Sequence, residues 1–150
     1  MNVKQISFFI ENHPGSLYDI TEVLSEEKIH IHALTVVESG SMALVRLLVD
    51  NVLWTSSVLK NIGVAASFVD ILVARISHVP GGLHKVLEVL KRANINIAHM
   101  YSVMSNTGEK TENEHPEAYV AFEVDDVNRA IAVLKAAGIG LISQEELPAL

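Results

Sequence analysis

The chain has 150 residues, 49% of them hydrophobic and 19% charged, with a formal net charge of −7 and no cysteine. This length suits one domain or two small ones, and the apolar share predicts a packed core rather than disorder. The acidic balance and scattered Lys and Arg argue against a nucleic-acid partner; the lack of cysteine excludes disulfides, thiol catalysis and cysteine-ligated zinc; and no apolar run approaches the roughly 20 residues that span a bilayer.

The opening residues Met1-Asn2-Val3-Lys4-Gln5 pass straight into an alternating pattern. No signal peptide is predicted, and a cytoplasmic protein is expected. Ile6, Phe8 and Ile10 alternate with Gln5, Ser7 and Phe9, which predicts a strand with one face in a core. Asn12-His13-Pro14-Gly15 is turn chemistry. Leu17, Ile20, Val23 and Leu24 then fall at helical spacing, with Asp19, Glu22, Glu26 and Glu27 outside and Lys28 closing the helix. Ile29, Ile31 and Ala33 alternate as a second strand. Glu38-Ser39-Gly40-Ser41 predicts a hairpin turn, and Met42 to Val49 a third strand. Asp50 or Asn51 caps a second helix that turns Val52, Thr55, Ser56 and Leu59 inward and ends at Gly63. Val64 to Phe68 reads as a short fourth strand. The order is β-α-β-β-α-β, the split pattern of ferredoxin-like folds.

The same grammar then returns. Pro14-Gly15 recurs as Pro80-Gly81, 66 residues on, and at that spacing Ile6, Leu17, Leu24 and Ile31 meet Leu72, Leu83, Leu90 and Ile97. Later in the unit the spacing is 75: Val49-Asp50 meets Val124-Asp125, and Gly63 meets Gly138. The extra nine residues are an insertion within Ser105 to Pro116, polar and acidic, and read as a solvated hairpin loop flanked by Tyr101 and Tyr119. Two copies of one unit therefore explain the chain, 1–68 and 69–150, with no Gly/Ser/Pro-rich linker between them.

Both Pro-Gly turns stand before a helix start, where four backbone N–H groups lack helical partners and partial positive charge gathers. An amino-acid carboxylate suits that place. Gly15 and Gly81 are expected to permit close approach, Gly82 to open the second site further, and Ser16 to offer a hydroxyl. A ligand ammonium would turn to the Asn12 side chain or nearby carbonyls. Asn12 corresponds to His78, which can change charge near neutral pH, so the two sites differ.

The residues Glu11-Asn12-His13-Pro14-Gly15-Ser16-Leu17 with Ile29-His30-Ile31, and His78-Val79-Pro80-Gly81-Gly82-Leu83 with Ala93-Asn94-Ile95-Asn96-Ile97, resemble the ACT domain, twice over and across nearly the whole chain. The resemblance implies α+β architecture: two ferredoxin-like units, each an antiparallel sheet with helices on one face, paired side by side. It implies a free amino acid or similar small carboxylate bound between units, near the first turn of one and the second strand of the other. Asn96 and Ile97 join the site on that ground, although Asn94 to Asn96 also reads as helix-ending turn chemistry. It further implies a homodimer or a partner enzyme, since ACT units usually accompany enzymes.

No cofactor is called for, and no membrane or nucleic-acid partner. His30, His32 and His99 invite a metal, but no further ligand has the right spacing, and they read as surface or edge-strand residues. Met100 and Met104 read as core or seam filler. The chain carries none of the Gly-x-Ser-x-Gly, P-loop or His-Glu-x-x-His motifs, so it reads as a non-enzyme. The rival reading is a ligand-free module that docks a metabolic enzyme.

Overall fold

The computed structural model describes residues 2–105 and 116–150. It divides into two compact units, Lys4–Val69 and Asp70–Leu150, the latter together with the residues before Lys4.

In the first unit the chain runs β1 (Val3–Glu11), α1 (Ser16–Glu26), β2 (Ile31–Ser39), β3 (Met42–Val49) and α2 (Val52–Asn61), and then enters β4 (Ser67–Ser77). β3 pairs antiparallel with both β1 and β2, so the order is β2-β3-β1. The expected alternation is realised. Ile6, Phe8 and Ile10 on β1 and Val45, Leu47 and Val49 on β3 join Ile20 and Leu24 of α1 and Leu59 of α2 in one buried cluster. Each such side chain contributes about 2 kcal/mol by leaving water.

The second unit continues from β4 through α3 (Gly82–Arg92), β5 (Ile97–Val103), β6 (Glu117–Val124), α4 (Val127–Ala136) and β7 (Gly140–Ile142). β4 pairs antiparallel with β7 and β6, and β6 with β5. Its core gathers Leu72, Ala74, Val120 and Phe122 from the strands and Val86, Leu90 and Leu134 from the helices. Among the described residues there are seven strands and four α-helices. The fold is α+β and antiparallel, in two ferredoxin-like units.

The helix ends repeat as the sequence does. Asn51 caps α2 by accepting from Trp54 N–H, and Asp126 caps α4 by accepting from Arg129 N–H, both at 3.0 Å. Asp50, the other candidate, accepts from Asn51 N–H instead. All four helices stop at a left-handed residue: Lys28, Gly63, Asn94 and Gly138. The N–H that follows each of them returns to a carbonyl inside the helix, as Ile29 does to Leu24 and Ile95 to Leu90.

Four expectations need correction. First, residues 64–66 are not strand. Val64 and Ala66 pack into the first core, and Val64 N–H completes the end of α2 on Leu59 O. The strand begins at Ser67 and runs unbroken to Ser77, because no Gly, Pro or Asn interrupts it. Second, Ile29 precedes β2, and a bulge between Ile31 and Ala33 puts those two residues on opposite faces. β5 carries the same bulge between Ile97 and His99. Third, Met100 and Met104 are exposed, which corrects the core half of the core-or-seam expectation. Fourth, Tyr119 lies opposite Val103 and Tyr101 opposite Ala121, so the tyrosines do not face each other. Tyr119 donates to Glu117 and sits beneath the Arg75 guanidinium. Most of the inserted loop lies outside the described residues.

Candidate functional site

The first turn is positioned by β1 and α1. Gly15 stands at the start of α1 with φ 93°, a left-handed conformation that costs an L side chain roughly 1–2 kcal/mol. A Cβ there would meet nothing within 4 Å. Glycine is therefore required by backbone conformation, rather than by a close neighbour. Ser16 N–H turns back to His13 O, and the first helical bond runs from Asp19 N–H to Gly15 O. Between them, the N–H groups of Leu17 and Tyr18 meet no acceptor among the described residues.

The polar side chains of this turn bond to one another. The His13 ring has Pro14 O 3.0 Å from Nδ1 and Glu11 Oε2 3.1 Å from Nε2. Two acceptors around one ring favour the imidazolium, and the His13 pKa is raised, chiefly by the Pro14 carbonyl and then by Glu11. Ser16 Oγ lies 3.0 Å from the same ring, so its hydroxyl is engaged within the turn. Asn12 is engaged too. Its side-chain amide donates to Gly40 O and its backbone N–H to Ser41 O, tying the turn to the hairpin between β2 and β3. Beside the turn is an open groove of about 540 Å³, with Ile10, Ile20, Val23 and Val64 in its lining and Glu11, His13 and Asp19 as its charged residues. The sequence pattern placed Asp19 on an outer, solvating face. It is exposed, yet it borders this groove.

The second turn repeats the backbone and changes the chemistry. Gly81 has φ 86°, Gly82 N–H turns back to Val79 O, and Lys85 N–H bonds Gly81 O. The N–H groups of Leu83 and His84 meet no acceptor among the described residues. Gly82 does not open this site. It is buried, and a Cβ on it would overlap the Ser77 carbonyl oxygen at the end of β4. Its role is close approach of helix to strand. His78 N–H donates to Pro116 O at 2.7 Å, the counterpart of the Asn12 bond to Ser41.

Asn96 and Ile97 lie elsewhere in the unit. They sit past the C-terminal end of α3, whose 11 residues put about 16 Å between them and the turn at its start. There Asn96 N–H bonds Asp125 Oδ1 and Asn96 O accepts from Asp125 N–H, both at 3.2 Å. Both residues line an open groove of about 500 Å³ with Lys91, Asn94 and Asp125. One unit therefore does not bring Asn96 to its own Pro-Gly turn.

With this geometry in view, comparison with known proteins is decisive on one point. The chain matches the ACT domain pair over residues 1–149. It belongs to the ACT domain family. A crystal structure of a protein from Bacteroides thetaiotaomicron is 31% identical, with TM-score 0.88, and the match covers 100% of this chain and 98% of that one. The ligand-free regulatory subunit of aspartate kinase from Thermus thermophilus shares the fold at 18% identity and TM-score 0.67, over 92% of both chains. The corresponding subunit from Thermus flavus does so at 16% and 0.61, over 92% of this ACT pair and 94% of that chain. No curated protein matches the chain. No helix among the described residues is long and apolar enough to cross a membrane.

Among the described residues of the ACT pair, no group of three metal-competent side chains occurs. His30 and His32 rings meet edge to face at 4.6 Å, and His99 packs on Tyr101 at 5.2 Å. His32 is not a surface residue. It is 3% exposed at the β2 bulge, its Nε2 has no hydrogen-bond partner among the described residues, and burial lowers its pKa. The bulge, invisible in the period-two pattern, turns it inward.

Proposed function

We propose that this ACT pair is a cytoplasmic regulatory protein that binds a free amino acid or similar small carboxylate. The carboxylate is held by the backbone N–H groups at the start of α1 or α3, beside the turns Asn12-His13-Pro14-Gly15-Ser16-Leu17 and His78-Val79-Pro80-Gly81-Gly82-Leu83. The observation that carries the reading is the pair of helix starts at left-handed glycines, each with two N–H groups that meet no acceptor among the described residues. Such donors, at the positive end of a helix, hold a carboxylate. Asn96 and Ile97 would complete a site from a neighbouring unit, in line with the binding of effectors where ACT units meet. An effector that contacts two units only when they are paired shifts the equilibrium toward pairing. A second copy of the chain or a separate enzyme would read that change.

A thermal-shift screen across the amino acids tests this. A true effector at 100-fold excess over its dissociation constant should add about 2.7 kcal/mol of stability.

A second reading, a module that docks a partner enzyme without a ligand, is favoured by α2. Leu53 is 80% and Trp54 46% exposed on its first turn. The corresponding positions of α4 hold the polar Asn128 and Arg129. Silence across the whole amino-acid screen would favour this module.

A further inference from the structure

We propose that the first turn selects an α-amino acid with an apolar side chain, whose ammonium meets the carboxylates of Glu11 and Asp19 while its side chain enters the neighbouring groove. This rests on the amino-acid reading above and narrows it to a ligand class at one of the two turns.

The argument begins with the lining. Ile10, Ile20, Val23 and Val64 give the groove a branched aliphatic surface, and about 540 Å³ is ample for one amino-acid side chain. An apolar side chain gains by leaving water there, whereas a charged one would lose hydration without a partner. The charged lining comes next. Glu11 and Asp19 bring two carboxylates, and among the described residues His13 is the single basic one and neither Lys nor Arg lines the groove. His13 pairs with Glu11 and Pro14, so Glu11 is shared with that ring and the lining keeps one negative charge in excess. The remaining field is negative, which favours a ligand ammonium and disfavours a second ligand carboxylate. The ligand's own carboxylate goes to the helix start, so the two charges of a zwitterion find opposite partners at one turn.

The second copy supports the assignment by contrast. Glu11 corresponds to Ser77, Asp19 to Lys85 and Phe9 to Arg75. Both carboxylates are gone and two cations have arrived, on the same backbone. The selectivity therefore belongs to the first turn.

The test is calorimetric titration of the full chain with leucine, isoleucine and phenylalanine, alongside aspartate, lysine and 4-methylpentanoate, the leucine skeleton without its amine. The apolar amino acids should bind, and 4-methylpentanoate should bind about tenfold more weakly than leucine. The double variant Glu11→Gln/Asp19→Asn should weaken leucine binding by about tenfold, while Lys85→Ala should leave it unchanged. Preference for aspartate or lysine would overturn the apolar assignment and leave the amino-acid reading standing. So would leucine binding that ignores the double variant or the missing amine. No binding of any amino acid would remove both.

Discussion

The two units solve one folding problem with different side chains, and their differences separate what the backbone requires from what a ligand would meet. Gly15 and Gly81 share a left-handed φ, and each precedes a helix whose next N–H turns back to a carbonyl three residues earlier. One position later the copies part. Ser16 projects a hydroxyl onto the His13 ring, whereas Gly82 is pressed against the Ser77 carbonyl. Rigid agreement in the backbone with divergence in the side chains is the pattern expected of a scaffold that keeps donors in place while changing what surrounds them. Glycine at the first of these positions serves conformation, and glycine at the second serves packing.

The strongest way to break this comparison is to exchange residues between copies. Gly82→Ser installs the first copy's residue in the second, where its Cβ would displace the end of β4. Overpacking of this kind should destabilise by about 3 kcal/mol in calorimetric unfolding. Ser16→Gly should cost far less, because the Ser16 side chain bonds only at the surface of the turn. Equal stability losses would show that the two helix starts are packed alike. Next in size are Gly15→Ala and Gly81→Ala. Since neither site is crowded, each should lose about 1–2 kcal/mol from the left-handed φ alone, and urea midpoints should fall together. A much larger loss at one of them would point to a neighbour that the geometry does not place there.

The helix ends sharpen the contrast in the opposite direction. Lys28 and Asn94 occupy equivalent positions with φ of 57° and 55°, but asparagine tolerates this conformation far better than lysine. Lys28→Gly should therefore raise stability by roughly 0.5–1 kcal/mol, and Asn94→Gly by less. Thermal melts that rank these two the other way would contradict the account.

The last comparison is between bulges. β2 buries His32, where β5 carries the exposed Ala98 at the matching site. The His32 pKa is lowered in the folded chain, so the unfolded chain binds its proton more readily. Stability from this group is present above the unfolded value of 6.5 and declines as pH falls from there through the lowered folded value. His13 works in reverse. Its raised pKa favours the fold below 6.5 and loses that effect as pH rises through its own folded value. Urea titrations between pH 5 and 8 on His32→Ala and His13→Ala should therefore change the pH slope in opposite senses.

How much of this was readable in advance depends on which force set each feature. The alternation of Ile6, Phe8 and Ile10 and the helical spacing of Leu17, Ile20 and Leu24 record which face meets a core, so strands, helices and the repeat were legible. The 66- and 75-residue spacings carried that reading through the second copy. The bulges at His32 and Ala98 were not legible, since one extra residue reverses a face without altering composition. Nor was the reach of β4, because Val64 and Ala66 are as apolar as any strand residue and only packing assigns them to the first core. At the candidate site the glycine turns could be read, but the closed polar circuit of Glu11, His13 and Ser16 could not. It depends on side-chain rotamers around a turn, and the exposed Asp19 gave no periodic sign that it borders a groove.

One small bond has a wider consequence. Asn12 in one copy and His78 in the other each donate a backbone N–H to the loop that joins the second and third strands of the unit, at Ser41 and at Pro116. The residue that closes the first strand thus also moors that loop. The second copy's extra nine residues enter the chain just before this mooring point. Lengthening the loop can therefore redraw the border of the candidate site while the helix start and its donors stay as they are. In a duplicated protein, that is a route by which twin sites acquire separate tastes.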